Sequence, residues 1–138
     1  VNDMYNKCLL EMQCCTMFDY IRLLDTRIQR MQGSDGAKVI KMNFGMAIMA
    51  LKAGFPIRRS GWNGKGLMVF KQVPAHIDSD IIPKMQSIPQ SAKDLILKGK
   101  GFIDYTSQCL IYNENTGRAD SWVPSISDVF ADDWEIVQ

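Results

Sequence analysis

The sequence predicts an α+β domain: a mainly antiparallel sheet packed with one or two helices, preceded by a long N-terminal helix. Three observations carry the prediction. Residues 2 to 31 repeat apolar side chains at helical spacing. From residue 56 onward, short runs of β-formers alternate with turns rich in Gly, Pro and Asn. A glycine-rich segment lies between two of those runs and reads as the bend of a hairpin-like unit.

The N-terminal helix rests on Leu10, Cys14, Met17, Ile21, Leu24, Ile28 and Met31, spaced 4, 3, 4, 3, 4, 3. That is an unbroken coiled-coil seam, widened by Leu9, Phe18 and Tyr20. Two readings stay open: one helix packed on its own domain, or self-association through this helix. Gln32-Gly33-Ser34-Asp35-Gly36 ends it, with Gly33 as the C-terminal cap. Residues 1–36 therefore read as an N-terminal helical extension and 37–138 as the α+β domain.

Ala37 to Met42 reads as a short strand. Asn43 caps a second helix whose Phe44, Ala47, Ile48 and Leu51 share one face, stopped by Gly54 and Pro56. Pro56 to Arg59 and Leu67 to Val73 are strands. Pro74 to Gly101 is the least regular span, with Ser91 to Leu97 as one or two helical turns; a loop or lid and a solvated insertion are equal readings. Phe102 to Thr106 and Gln108 to Tyr112 are strands, Asn113 to Gly117 is a turn, and Arg118 to Val123 is a further strand. Ser127 or Asp128 caps a single helical turn through Ala131. Trp134 to Val137 closes the chain as a strand with Trp134 and Ile136 facing one way.

A chain of 138 residues, 46% hydrophobic and 22% charged, reads as one globular domain with a real core. The net charge of +1 argues against broad nucleic-acid or membrane binding. No apolar run approaches the ~20 residues that span a bilayer, and no secretory leader is read. The spacing of Cys8, Cys14, Cys15 and Cys109 fits no zinc pattern, so reduced cysteines in a cytosolic protein are expected. His76, the sole histidine, reads as a loop residue beside Pro74 and Asp78. No metal or cofactor is expected.

The richest segment is Arg58-Arg59-Ser60-Gly61-Trp62-Asn63-Gly64-Lys65-Gly66. Cations meet anions, tryptophan offers a flat face, and glycine allows close backbone approach. A nucleotide presents both an anion and a ring. The segment is neither a P-loop, since Gly66 follows Lys65, nor a dinucleotide fingerprint, since a strand follows rather than a helix. An anion nest and a simple hairpin turn both remain open. Trp134 reads as core, Trp62 as the exposed candidate for stacking on a base, and Trp122 as ambiguous. Asp128, Asp132 and Asp133 form an acidic cluster. Either Asp128 caps a helix beside a solvated pair, or the carboxylates accept from ribose hydroxyls or a base edge.

Met42-Asn43-Phe44-Gly45, Ala47, Ala50-Leu51, Gly54, Arg58-Arg59, Gly61-Trp62-Asn63-Gly64-Lys65-Gly66, Asp128, Ala131 and Asp133-Trp134-Glu135-Ile136-Val137 follow one familiar order. From about residue 42 to 137 the chain resembles the Thoeris anti-defence 2 family of phage proteins. The resemblance implies a sponge acting in the bacterial cytoplasm. Such a sponge captures cyclic nucleotide immune signals (a glycosylated cyclic ADP-ribose isomer, in some members also cyclic dinucleotides) without cleaving them. It implies homo-oligomers, commonly tetramers, with pockets between subunits. On that basis Arg59, Trp62, Asn63, Lys65, Trp122 and Asp128 are the expected ligand-binding residues. Trp62 would stack on a base, Arg59 or Lys65 would meet phosphate, and Asp128 would accept from a ribose hydroxyl or base. Residues 1–41 and the elaborate 77–101 segment depart from the family pattern. A nucleotide-processing enzyme and a structural or assembly protein are the alternatives. The first lacks a visible nucleophile–base pair; the second draws on the heptad helix.

Overall fold

The computed structural model describes residues 3–138. Helix α1 (Met4–Met31) is capped by Asp3, whose carboxylate accepts from the Tyr5 N–H at 2.9 Å. Residue 2, where the sequence pattern starts the helix, lies outside the described residues. At the other end Gly33 adopts φ 98°, and the N–H of Ser34 reaches back to the Gln29 carbonyl, which closes the helix as expected. No side chain of α1 is buried.

The segment 37–40 forms no strand, against the expectation. Its backbone is held by side chains of α1 instead. The Arg30 guanidinium donates to the carbonyls of Asp35 and Ala37, and the Arg22 guanidinium to those of Ile40 and Lys41. Only Met42 pairs with a strand, exchanging two backbone hydrogen bonds with Trp134. Helix α2 (Phe44–Lys52) follows, and Asn43 caps it by accepting from the Met46 N–H at 2.9 Å.

Five strands form the main sheet: β1 (Ile57–Arg59), β2 (Leu67–Lys71), β5 (Cys109–Asn113), β6 (Arg118–Trp122) and β7 (Trp134–Ile136). Their order is β6-β5-β2-β1-β7, with every pairing antiparallel. Directly paired residues share a face. Ile136, Ile57, Val69 and Ile111 therefore form one apolar row across four strands. Helix α2 packs on this face, and Met42, Met46, Ala47, Ala50, Leu51, Ile57, Val69 and Trp134 are its buried core. Trp134 is 0% exposed. Period-2 alternation puts Arg59 on the core face and Arg58 on the opposite one.

The middle of the chain is more regular than the sequence suggests. Strand β3 (Ala75–Ile77), unforeseen, pairs with β4 (Ile103–Tyr105) in a separate two-stranded sheet. Between them lie a 3-10 turn at Ile82–Lys84 and helix α3 (Gln90–Lys98). Helix α4 (Ile126–Val129) is capped by Ser125 rather than by Ser127 or Asp128. Ser125 Oγ accepts from the Asp128 N–H, and the Asp128 carboxylate accepts from the Ser125 N–H, a reciprocal capping box.

Candidate functional site

Residues 60 to 66 connect β1 to β2 and are pinned at both ends. At the first end, the Gly61 N–H donates to Asp133 Oδ2 at 2.9 Å, and the Ser60 N–H donates to the Asp133 carbonyl at 3.0 Å. A Cβ on Gly61 would lie 2.5 Å from Asp133 Oδ2, so the close approach requires glycine. At the second end, Asn115 Nδ2 donates to the Lys65 carbonyl at 2.8 Å, and the Glu114 N–H donates to the Gly66 carbonyl at 2.8 Å. Gly66 has φ 85°, where an L side chain is strained.

Between the anchors, Trp62 is half-buried rather than exposed. Its ring lies 5.4 Å from that of Trp134 at 79°, and its Nε1–H donates to Asp128 Oδ1 at 3.3 Å. Trp122 meets Trp134 in the same edge-on manner, at 6.1 Å and 82°. Both flank the buried tryptophan as core-facing neighbours.

Arg59 is the electrostatic centre. Its Nε donates to Asp133 Oδ1 at 2.8 Å and its Nη1 to Asp128 Oδ1 at 3.0 Å. These two bonds, the one to Asp133 foremost, raise the guanidinium above its ordinary value. Burial alone would push the Asp128 carboxyl up. Hydrogen bonds from the Ser125 backbone, Arg59, the Ser125 hydroxyl and Trp62 outweigh it and hold the group below the carboxylate range. Asp133 is held low in the same way, with burial opposed by Arg59 and the Gly61 N–H. Of the pair read as solvated, Asp132 is exposed but Asp133 grips Arg59, as does Asp128, whose carboxylate also completes the α4 capping box.

On the other side of the strand, Arg58 Nε donates to Glu135 Oε1 at 2.7 Å, a direct cross-strand pair. Beside it lies a groove of about 290 Å³ lined by Arg58, Arg59, Ser60, Trp62, Gly64, Lys65, Gly66, Leu67 and Glu135. Among the described residues Lys65 is exposed and its ammonium has no ion-pair partner. Asn63 is exposed at the tip of the turn. The structure thus brings Arg59, Trp62 and Lys65 to one groove. Asp128 stands behind it, holding Trp62 and Arg59, and Trp122 does not line it.

Sequence reasoning passed over Ser60, Leu67, Asn115 and Glu135. Glu135 follows from strand register, because β1 and β7 place it opposite Arg58. Nothing local in the sequence signals Asn115, which acts across the fold on Lys65. Three larger cavities lie elsewhere: about 490 Å³ beside His76 and Tyr105, about 410 Å³ between α1 and Lys41, and about 340 Å³ between α1 and α2. No helix among the described residues is long and apolar enough to cross a membrane.

These features define an α+β domain whose most elaborate turn carries an aromatic ring and a free cation over a partly buried ion-pair frame. The Thoeris anti-defense 2-like domain family matches residues 42–137, and the chain belongs to that family. It is similar to Thoeris anti-defense 2 of Bacillus phage SP01, with 33% identity over 102 residues covering 70% of this chain and 96% of the relative. Helix α1 and the segment through Lys41 precede the matched region.

Proposed function

We propose that this protein counters Thoeris defence for a phage by capturing a cyclic nucleotide immune signal in the host cytoplasm and holding it intact. The observation that carries the reading is the groove between Trp62 and Lys65, on a turn pinned at both ends. Trp62 stacks on a base. The Lys65 ammonium meets phosphate, since Arg59 is occupied by two carboxylates. The exposed Asn63 amide donates to and accepts from a base edge. Asp128 positions Trp62 and Arg59 rather than touching ligand. Family membership supplies the defence system, and the likeness to Thoeris anti-defense 2 supports it.

The groove volume of about 290 Å³ sits at the lower limit for small-molecule sites, ~300–1,000 Å³. It holds one base and part of its sugar. A larger ligand such as glycosylated cyclic ADP-ribose extends beyond it, over the turn or onto a second copy. A sponge acts stoichiometrically, so its dissociation constant lies below the signal concentration.

The deciding experiment incubates the protein with a cyclic ADP-ribose isomer or a cyclic dinucleotide, removes free ligand, denatures the complex and analyses what is released. Intact ligand is expected in molar proportion to protein. Fragments, or turnover of excess ligand, would overturn the reading.

A further inference from the structure

We propose that helix α1 is the self-association element of this chain, pairing in parallel with α1 of a second copy. This inference is independent of the nucleotide reading, because α1 lies outside the groove and outside the family match.

The helix has two opposite faces. Asp19, Arg22, Leu23 and Thr26 are half-buried against the chain's own domain. Arg22 binds the Ile40 and Lys41 carbonyls, Asp19 accepts from Asn43 Nδ2 at 3.2 Å, and Leu23 packs on the core. At 3.6 residues per turn, the heptad seam lies about 180° away around the axis. Its Leu10, Met17, Ile21, Leu24, Ile28 and Met31 are 38–83% exposed. A helix docked only on its own domain would turn this seam inward. Here the seam points away from the domain.

The seam identifies its occupant. Its a positions are Lys7, Cys14, Ile21 and Ile28, and its d positions are Leu10, Met17, Leu24 and Met31. Within a parallel pair, isoleucine at a with leucine at d favours two strands, and a single lysine at a fixes register at some cost in stability. The flanks agree. In a parallel pair Tyr20 of one copy faces Asp25 of the other, Asn6 faces Glu11, and Gln13 faces Phe18, so no like charges meet along these flanks; Lys7 meets its counterpart at the exposed N-terminal a layer. Full overlap in the antiparallel sense sets Glu11 of each copy against Asp25 of the other. The helix of 28 residues is ~42 Å long, and its apolar seam from Leu10 to Met31 covers about three heptads. A two-fold axis along the pair makes the contact isologous and closed. The polar face mixes Arg22 and Arg30 with Asp19, and Asp25 adds negative charge at the seam's flank, which is not the basic pattern of a lipid-binding helix.

The parallel register brings the two Cys14 side chains together at one a layer, while Cys15, a b position, lines the cavity facing Lys41 and Asn43 on the domain side. A disulfide needs Cα atoms ~4.4–6.8 Å apart, so the thiols report orientation. The test uses the full chain. Sedimentation equilibrium is expected to give a dimer or a multiple of it, and Ile21→Glu/Leu24→Glu to reduce that mass at least two-fold with unchanged far-UV circular dichroism. With diamide as the two-electron oxidant, Cys8→Ser/Cys15→Ser should cross-link through Cys14. Cys8→Ser/Cys14→Ser, which keeps the same Cys109, should not. A chain that stays monomeric, a mass unmoved by the double substitution, or absence of the Cys14 cross-link would each overturn the proposal. So would a monomer that instead floats with phosphatidylglycerol vesicles, since that assigns the seam to lipid.

Discussion

Gly61→Ala is the sharpest probe of how the turn is held. Glycine-to-alanine changes at unstrained positions stabilise by ~0.4–1 kcal/mol, because the unfolded chain loses freedom. Gly61 is not in the left-handed region, so this gain applies. Against it stands the new Cβ, 2.5 Å from Asp133 Oδ2. That oxygen ends a side chain and could swing aside cheaply if it were free. It is not free, because Oδ2 accepts from the Gly61 N–H and Oδ1 accepts from Arg59 Nε at 2.8 Å. Moving the carboxylate breaks a hydrogen bond to a charged group, ~1.5–3 kcal/mol, and stretches the bond to Arg59. The clash wins by about 1–2 kcal/mol. For a domain of this size that lowers Tm by roughly 4–8 °C.

The assay is thermal unfolding of four variants. Gly36→Ala, where nothing lies within 4 Å of the new Cβ, is the control and should be unchanged or slightly more stable. Gly61→Ala should melt earlier. In an Asp133→Ala background Gly61→Ala should carry no further cost, because its obstacle is gone. A Gly61→Ala protein as stable as the parent would refute the reasoning, as would an equal penalty in the Asp133→Ala background.

Three other outcomes follow from the same geometry. Trp62→Ala should weaken cyclic nucleotide binding by ~1–3 kcal/mol, roughly 5- to 150-fold, while Trp62→Phe keeps most of it; isothermal titration checks this, and equal losses in both variants would rule out stacking. Asp128 and Asp133 have native pKa values below the ordinary 3.8, so their stabilisation is complete above about pH 4 and is lost as pH falls through the lowered values. Urea midpoints across that range should fall more steeply for the parent than for Asp133→Asn. His76 behaves in the opposite sense. Its ring lies between Asp104 at 2.5 Å and Asp78 at 3.0 Å, and the bond to Asp104 above all raises its pKa from 6.5. That contribution is full below pH 6.5 and disappears as pH rises through the raised value, loosening the β3–β4 pair. An NMR titration giving His76 a value of 6.5 or lower would contradict it.

The local signals in the sequence were legible, and the non-local ones were not. Asn43, Gly33 and the Asn113–Gly117 turn act within a few residues, so their roles could be read directly. Trp134 was legible as core because alternation alone decides its face. The cap of α4 was misplaced although its signal is local. Ser125, Ser127 and Asp128 all have capping side chains, and the Ser-x-x-Asp spacing of a capping box selects Ser125. The segment 37–40 has a strand's composition but no strand to pair with, and Arg22 and Arg30 take its carbonyls instead. Strand β3 depends on β4, whose Asp104 partner lies 28 residues beyond His76. Asp133 reads as one of a solvated pair because its cation, Arg59, is 74 residues away in the chain.

That distant cation also bears on what the turn is suited to do. General acid–base chemistry needs a group that gains and loses a proton near the working pH. Around Arg59 every shift runs the other way: the guanidinium is raised, and both carboxylates are lowered. The three charges favour one another's ionised forms, and two of the hydrogen bonds to the carboxylates also fix a piece of the turn: Asp133 sets Gly61 and Asp128 sets Trp62. Asn115 sets Lys65 independently. A loop ordered before its ligand arrives avoids the ordering cost that otherwise opposes binding, about 0.5–1.5 kcal/mol for each immobilised side chain. Tight stoichiometric capture needs that saving, whereas proton transfer would need the frame to give way.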